Sequence, residues 1–136
     1  IDINDWEKID KIVDQFAGKV RHQKCFYRIM QREQLHTQNP HIVEFLKQTK
    51  MGFISMYSKI LESGLKKGIF TKNPPIYLLH STVSGTLFYA SNAKEMYKEF
   101  LNNTDEEDVF DDTYYTELNT HIKYLLKDLL GYEENK

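Results

Sequence analysis

Apolar side chains recur at steps of three and four along almost the whole chain, and no stretch alternates in the two-residue rhythm of a strand. That pattern leaves few options beyond an all-α domain. Trp6, Ile9, Val13, Phe16 and Val20 form one stripe of a helix over about 4–19, with Asn4 placed to cap it. A second helix is expected over 23–35, turning Cys25, Phe26, Ile29 and Met30 inward and Arg28, Gln31 and Arg32 outward. "TQNPHIVEF" supplies a start signal, with Asn39 as cap and Pro40 in the first turn. The periodic region then runs through 40–67, its buried side marked by Val43, Leu46, Phe53, Tyr57, Ile60, Leu61 and Leu65. Periodicity leaves open whether Gly52 divides this stretch into two helices.

"TKNPPIYLL" is the next start signal, with Asn73 as cap and Pro74–Pro75 closing what precedes it. A helix over 75–92 follows, then a short amphipathic piece carrying Met96, Tyr97, Phe100 and Leu101. "NNTDEEDVFDD" reads as a loop before a last helix over 112–130, which Gly131 ends. The expected architecture is an antiparallel bundle of about six helices. At 136 residues it forms one domain, over 1–131, with 132–136 as a flexible tail.

"ESGLKKGIF", residues 62–70, places two glycines four apart near the end of a helical pattern. Gly68 stands where a left-handed cap would stop the helix. Lys66 and Lys67 then occupy the last turn, where cations suit the helix dipole. Ile69 and Phe70 turn back over the core. Gly64 lies inside the helix, and its missing side chain lets a neighbour approach closely.

Several function classes lose support. One cysteine, Cys25, makes no internal disulfide and fits a reducing, cytoplasmic setting. No apolar run approaches the roughly 20 residues that cross a bilayer, and no secretory signal opens the chain. The chain also lacks an initiator Met, which fits a fragment or a processed product. Its net charge of −2 is unevenly spread: −3 over 1–18, +8 over 19–72 and −7 over 73–136. A nucleic-acid binder shows a clear basic excess, which this chain as a whole does not. The basic middle reads as solvated helix faces.

His22, Cys25, Glu33 and His36 share roughly one helix face, but no third group orients a nucleophile there, so no catalytic residue is assigned. Five scattered histidines and one cysteine make no metal site, and no cofactor is expected. Six acidic residues within 105–112 lack the glycine and final glutamate of a calcium loop.

The order of "CFYRIMQRE" (25–33), "PHIVEFL" (40–46), "ILESGLKKGIF" (60–70) and a proline-started helix with "LLHSTVSGTLFY" (78–89) resembles the C-terminal domain of TetR-family transcriptional regulators. Such regulators carry an N-terminal helix-turn-helix, which is absent here and would precede Ile1. The resemblance implies that DNA is contacted only through that unit. It also implies that the helices over 75–92 and 112–130 pair with their copies in a second subunit, as a four-helix bundle. Leu79, Val83, Thr86, Leu118, Ile122, Leu125, Leu126 and Leu129 are the expected contacts of that homodimer. An effector pocket is implied among the helices over 23–35, 40–67 and 75–92.

For that pocket the expected lining is Phe26, Ile29, Glu33, Phe53, Tyr57, Leu61, Thr82, Gly85 and Tyr89. Glu33 stands on an apolar face, where it either anchors a cationic or hydroxylated ligand or pairs with a neighbouring group. Tyr57, Thr82 and Tyr89 offer polar contacts within an otherwise apolar wall. The ligand would be a small, mostly apolar effector. The competing reading is a helical interaction module whose core is filled and takes no ligand.

Overall fold

A computed structural model describes residues 3–134, and all regular structure among them is helical. It comprises five helices: α1 (Asp5–His22), α2 (Lys24–His36), α3 (Pro40–Lys66), α4 (Ile76–Phe100) and α5 (Glu107–Leu130). Helix α1 runs through the middle and packs against all four others. Its stripe of Trp6, Ile9, Val13, Phe16, Ala17 and Val20 is buried as the spacing predicts. The core is completed by Tyr57, Ile60 and Leu61 of α3, by Leu79, Val83 and Leu87 of α4, and by Ile122, Leu126 and Leu130 of α5. Each buried Val, Leu, Ile or Phe among them contributes about 1.5–3 kcal/mol through the water it leaves.

The start signals act as read at two helices. Asn4 Oδ1 accepts from the Glu7 amide at 2.8 Å, and Asn39 Oδ1 accepts from the His41 amide at 2.9 Å, with Pro40 at the helix start. At α4 the capping position is Pro75 rather than Asn73.

The count of about six is corrected to five. The short piece expected after Ala93 is continuous with α4, because nothing around residues 92–94 breaks a helix. The acidic stretch is only partly loop: α5 begins at Glu107, five residues before the expected start. Glu107 and Asp108 fall in its first turn, where carboxylates are stabilised by the exposed amides. Gly52 lies within an unbroken α3.

Two other expectations change. Tyr132, placed by sequence in a flexible tail, stacks on Trp6 with ring centroids 5.2 Å apart and planes at 16°; residues 135–136 of that tail lie outside the described residues. Helix α2 buries none of its residues. Its apolar face is left half open, with Phe26 51% and Ile29 58% exposed, and Val43 at the start of α3 is likewise 48% exposed. Helix α2 and the first half of α3 thus form an outer wall, while the second half of α3 enters the core.

The two glycines of "ESGLKKGIF" do different jobs. Gly68 adopts φ +73°. Its amide donates to Leu65 O at 3.2 Å, and the Ile69 amide donates to Gly64 O at 2.9 Å, which satisfies the last carbonyls of α3. Gly64 is the close approach: a Cβ built there would lie 2.2 Å from Phe70 Cδ2 and 2.3 Å from Cε2. The chain leaving α3 folds the Phe70 ring onto that bare backbone. It then ties itself to the end of α5, where the Thr71 and Lys72 amides both donate to Leu130 O.

Candidate functional site

The outer wall does not close against the core. Between α1, α2, α3 and α4 it leaves a cavity of about 210 Å³. Phe16, Phe26, Tyr27, Phe45, Phe53 and Phe88 supply its rings, and Met30 and Leu46 add aliphatic surface. Phe16 is the hub, meeting Tyr27, Phe53 and Phe88 edge-on at centroid distances of 5.9, 5.6 and 5.7 Å. Aromatic pairs prefer this edge-to-face packing to a flat sandwich, because the ring edge is positive and its face negative. Polar groups enter at Gln31, Gln34, Thr49, Lys50, His80 and Ser84. Wider hollows, such as that lined by Leu61, Leu65 and Pro74–Ile76, are open surface grooves.

His80 is the most constrained polar group in this wall. Its ring lies 6.1 Å from Phe53 and 6.4 Å from Tyr57. Burial, and then the charge of Lys50, push its pKa below the usual histidine value, so the imidazole is neutral at pH 7. Its Nδ1 is buried and has no hydrogen-bond partner among the described residues. Lys50 makes no ion pair among them.

The expected ligand residues divide. Phe26 and Phe53 line the cavity. Tyr57 stands behind it, buried against His80. Leu61 belongs to the core and faces a surface groove instead. Ile29 and Glu33 sit on α2 away from the lining. Thr82, Gly85 and Tyr89 lie on α4 outside this lining, and Tyr89 is 65% exposed. The cavity side of α4 is His80, Ser84 and Phe88, four residues apart on one helix face. The rest of the wall, from Phe16 and Tyr27 to Lys50, could have been sought among aromatic and polar residues on the faces that flank each buried stripe.

Tyr57 carries a measurable consequence. Burial pushes its phenol up to about 12, from an ordinary value near 10. The folded state disfavours the phenolate, so this group's contribution is intact below about pH 10 and is lost as pH rises towards about 12. A Tyr57→Phe variant should therefore lose stability less steeply than the parent across that window, followed by circular dichroism in denaturant. Equal slopes would contradict the burial argument.

The expected dimer contacts divide in a similar way. Leu79, Val83, Ile122 and Leu126 are 0–1% exposed inside the single chain. They are consumed by its own core and leave nothing for a partner. Thr86, Leu118 and Leu129 are half-buried, and Leu118 and Leu129 pack at the core's edge. Leu125 remains 37% exposed. What faces outward instead is a stripe on α4 with Leu78, Tyr89 and Met96, around exposed Gly85, and on α5 Tyr124 beside Leu125.

Below these faces α4 and α5 are locked by polar contacts. Lys94, 1% exposed, meets Asp111 Oδ1 at 2.6 Å. Burial alone would lower its pKa, but the hydrogen bond to Asp111 and the carboxylates nearby outweigh this and raise it. Ser91 Oγ and Tyr115 Oη share a buried hydrogen bond of 2.8 Å, and Tyr114 Oη donates to Ala90 O at 2.6 Å.

The sequence profile described as "Tetracyclin repressor-like, C-terminal domain" matches residues 6–121. No curated protein and no solved structure shows significant similarity to the chain.

Proposed function

Because the chain belongs to the tetracyclin repressor-like C-terminal domain family, we propose that it is the effector-binding and homodimerising half of a transcriptional regulator, sensing a small, mostly apolar molecule. The observation that carries this reading is the aromatic cavity between α1, α2, α3 and α4, with its few polar groups gathered on α2, α3 and α4. Binding sites for small molecules have this composition, apolar walls with a few placed polar groups. The outer wall supports the reading too, since α2 buries no residue and can shift without dismantling the core.

DNA contact would come from an N-terminal unit that these residues do not include. The effector must favour one arrangement of α1 to α4 over another, since a ligand that binds two states equally moves neither. Couplings of this kind are about 1–3 kcal/mol. Two copies would meet through the outward stripes of α4 and α5. Among the described residues, no helix is long and apolar enough to cross a membrane.

Thermal melting of the chain against a panel of small apolar and amphipathic compounds tests this. One chemical class should raise the midpoint by several degrees, and a Ser84→Phe change that fills the cavity should abolish the rise. A panel without any response, or a response untouched by Ser84→Phe, would favour a filled interaction module.

A further inference from the structure

The polar lining of the cavity has a sign. Among its residues Lys50 alone bears a full charge, and no carboxylate lines the space. Glu33, the acid that sequence reasoning offered as an anchor for a cation, lies outside that lining. Lys50 has no ion-pair partner among the described residues, and its charge reaches His80, whose pKa it helps to lower. Beside it, the buried Nδ1 of His80 lacks a hydrogen-bond partner. A lone ammonium and an unused imidazole nitrogen thus stand in a wall otherwise made of rings and amides.

We infer that the effector is a small ring-bearing monoanion, an arene carboxylate or its chemical like, held with its acid group at Lys50 and His80 and its hydrocarbon body among Phe16, Phe53 and Phe88. This rests on the reading of the cavity as the effector site.

Aromatic walls also attract cations, but a cation here would meet Lys50 with no carboxylate to offset it. A neutral ligand would cover part of the water around Lys50 without pairing its charge. A carboxylate answers both groups, accepting from the ammonium and from the neutral imidazole in the tautomer that carries its hydrogen on Nδ1. Such charge-assisted hydrogen bonds are roughly twice as strong as neutral ones. Size limits the body: about 210 Å³ is below the roughly 300 Å³ where pockets for drug-sized ligands begin. One or two fused rings fit that description.

Isothermal titration of the chain with 2-naphthoate, 2-naphthamide and 2-naphthylmethylamine, and with benzoate and benzamide, separates the outcomes. The carboxylates should bind at least tenfold more tightly than the matching amides, and the amine most weakly. Lys50→Gln should remove the carboxylate advantage, weakening the carboxylates about tenfold more than the amides. Gln34→Glu, which places an acid in the lining, should weaken the carboxylates in the same direction without touching Lys50. Both positions are at least partly exposed, so the variants should fold, which their melting curves check. Amides or the amine binding as tightly as the carboxylates, or a carboxylate affinity unmoved by Lys50→Gln, would overturn the assignment of charge and leave the effector reading standing. Failure of every probe, whatever its charge, would overturn both.

Discussion

Asp111→Ala should destabilise the chain by about 3–5 kcal/mol, the usual cost of stripping one partner from a buried ion pair. Lys94 is 1% exposed and Asp111 lies 2.6 Å from it. Glu95 and Glu107 approach Lys94 at 3.5 and 3.6 Å, but their side chains are about 70% exposed and well solvated. They soften the loss without replacing a buried partner, which places the expected value near the lower end. The residual cost arises because the Lys94 ammonium is left in the α4–α5 seam with too little to offset its desolvation. Removing both charges should behave differently. Lys94→Met with Asp111→Leu fills the same space with apolar groups, and such replacements are often neutral or stabilising. Urea unfolding of the parent, both single variants and the double variant gives the four corners of the cycle. A single-variant cost under about 1 kcal/mol would mean that the seam does not depend on this pair.

Phe70→Ala should cost about 3–5 kcal/mol as a large-to-small change at a closed site. Phe70 is 2% exposed, lies on Gly64, and meets Tyr132 edge-on at 6.3 Å. The same contact fixes the sign of a second change. In an open helix Gly→Ala stabilises by about 1 kcal/mol. At residue 64 the new methyl would lie 2.2 Å from the Phe70 ring, and overpacking of that kind costs about 1–3 kcal/mol. Gly64→Ala should thus destabilise the parent. In the Phe70→Ala background it should stabilise, because the ring is gone and only helix propensity is left. Chemical unfolding at low temperature reads both values. The same sign in both backgrounds would show that Phe70 is not what keeps residue 64 bare.

Much of the fold was legible because helix ends are written locally. Asn4, Asn39 with Pro40, Gly68 and Gly131 each act through bonds to residues a few positions away, and each stops or starts a helix where the sequence indicated. The junction at residues 92–94 was misread because a change in amphipathic phase looks like a break, although nothing there interrupts the hydrogen bonds of α4. The acidic run concealed the start of α5, since the same carboxylates suit a solvated loop and a first helical turn.

The candidate site was less legible, and α4 shows why. Three of its faces carry apolar or small groups: Leu79, Val83 and Leu87 enter the core, His80, Ser84 and Phe88 meet the cavity, and Leu78, Gly85 and Tyr89 face outward. Periodicity shows that the helix is amphipathic but not which neighbour each face meets. That depends on the packing of α1, α2 and α3, which no stretch of α4 encodes. The same ambiguity placed Leu79 and Val83 at a dimer contact and Thr82 and Tyr89 in a pocket.

The proposal that two copies pair through the outer faces of α4 and α5 is tested most directly by sedimentation equilibrium of the chain. The expected result is a species of twice the 16.2 kDa chain mass, converted to the single chain by Tyr89→Lys with Leu125→Lys while the helical content stays the same. A stable 16.2 kDa species at high protein concentration, or a dimer indifferent to those two lysines, would contradict it.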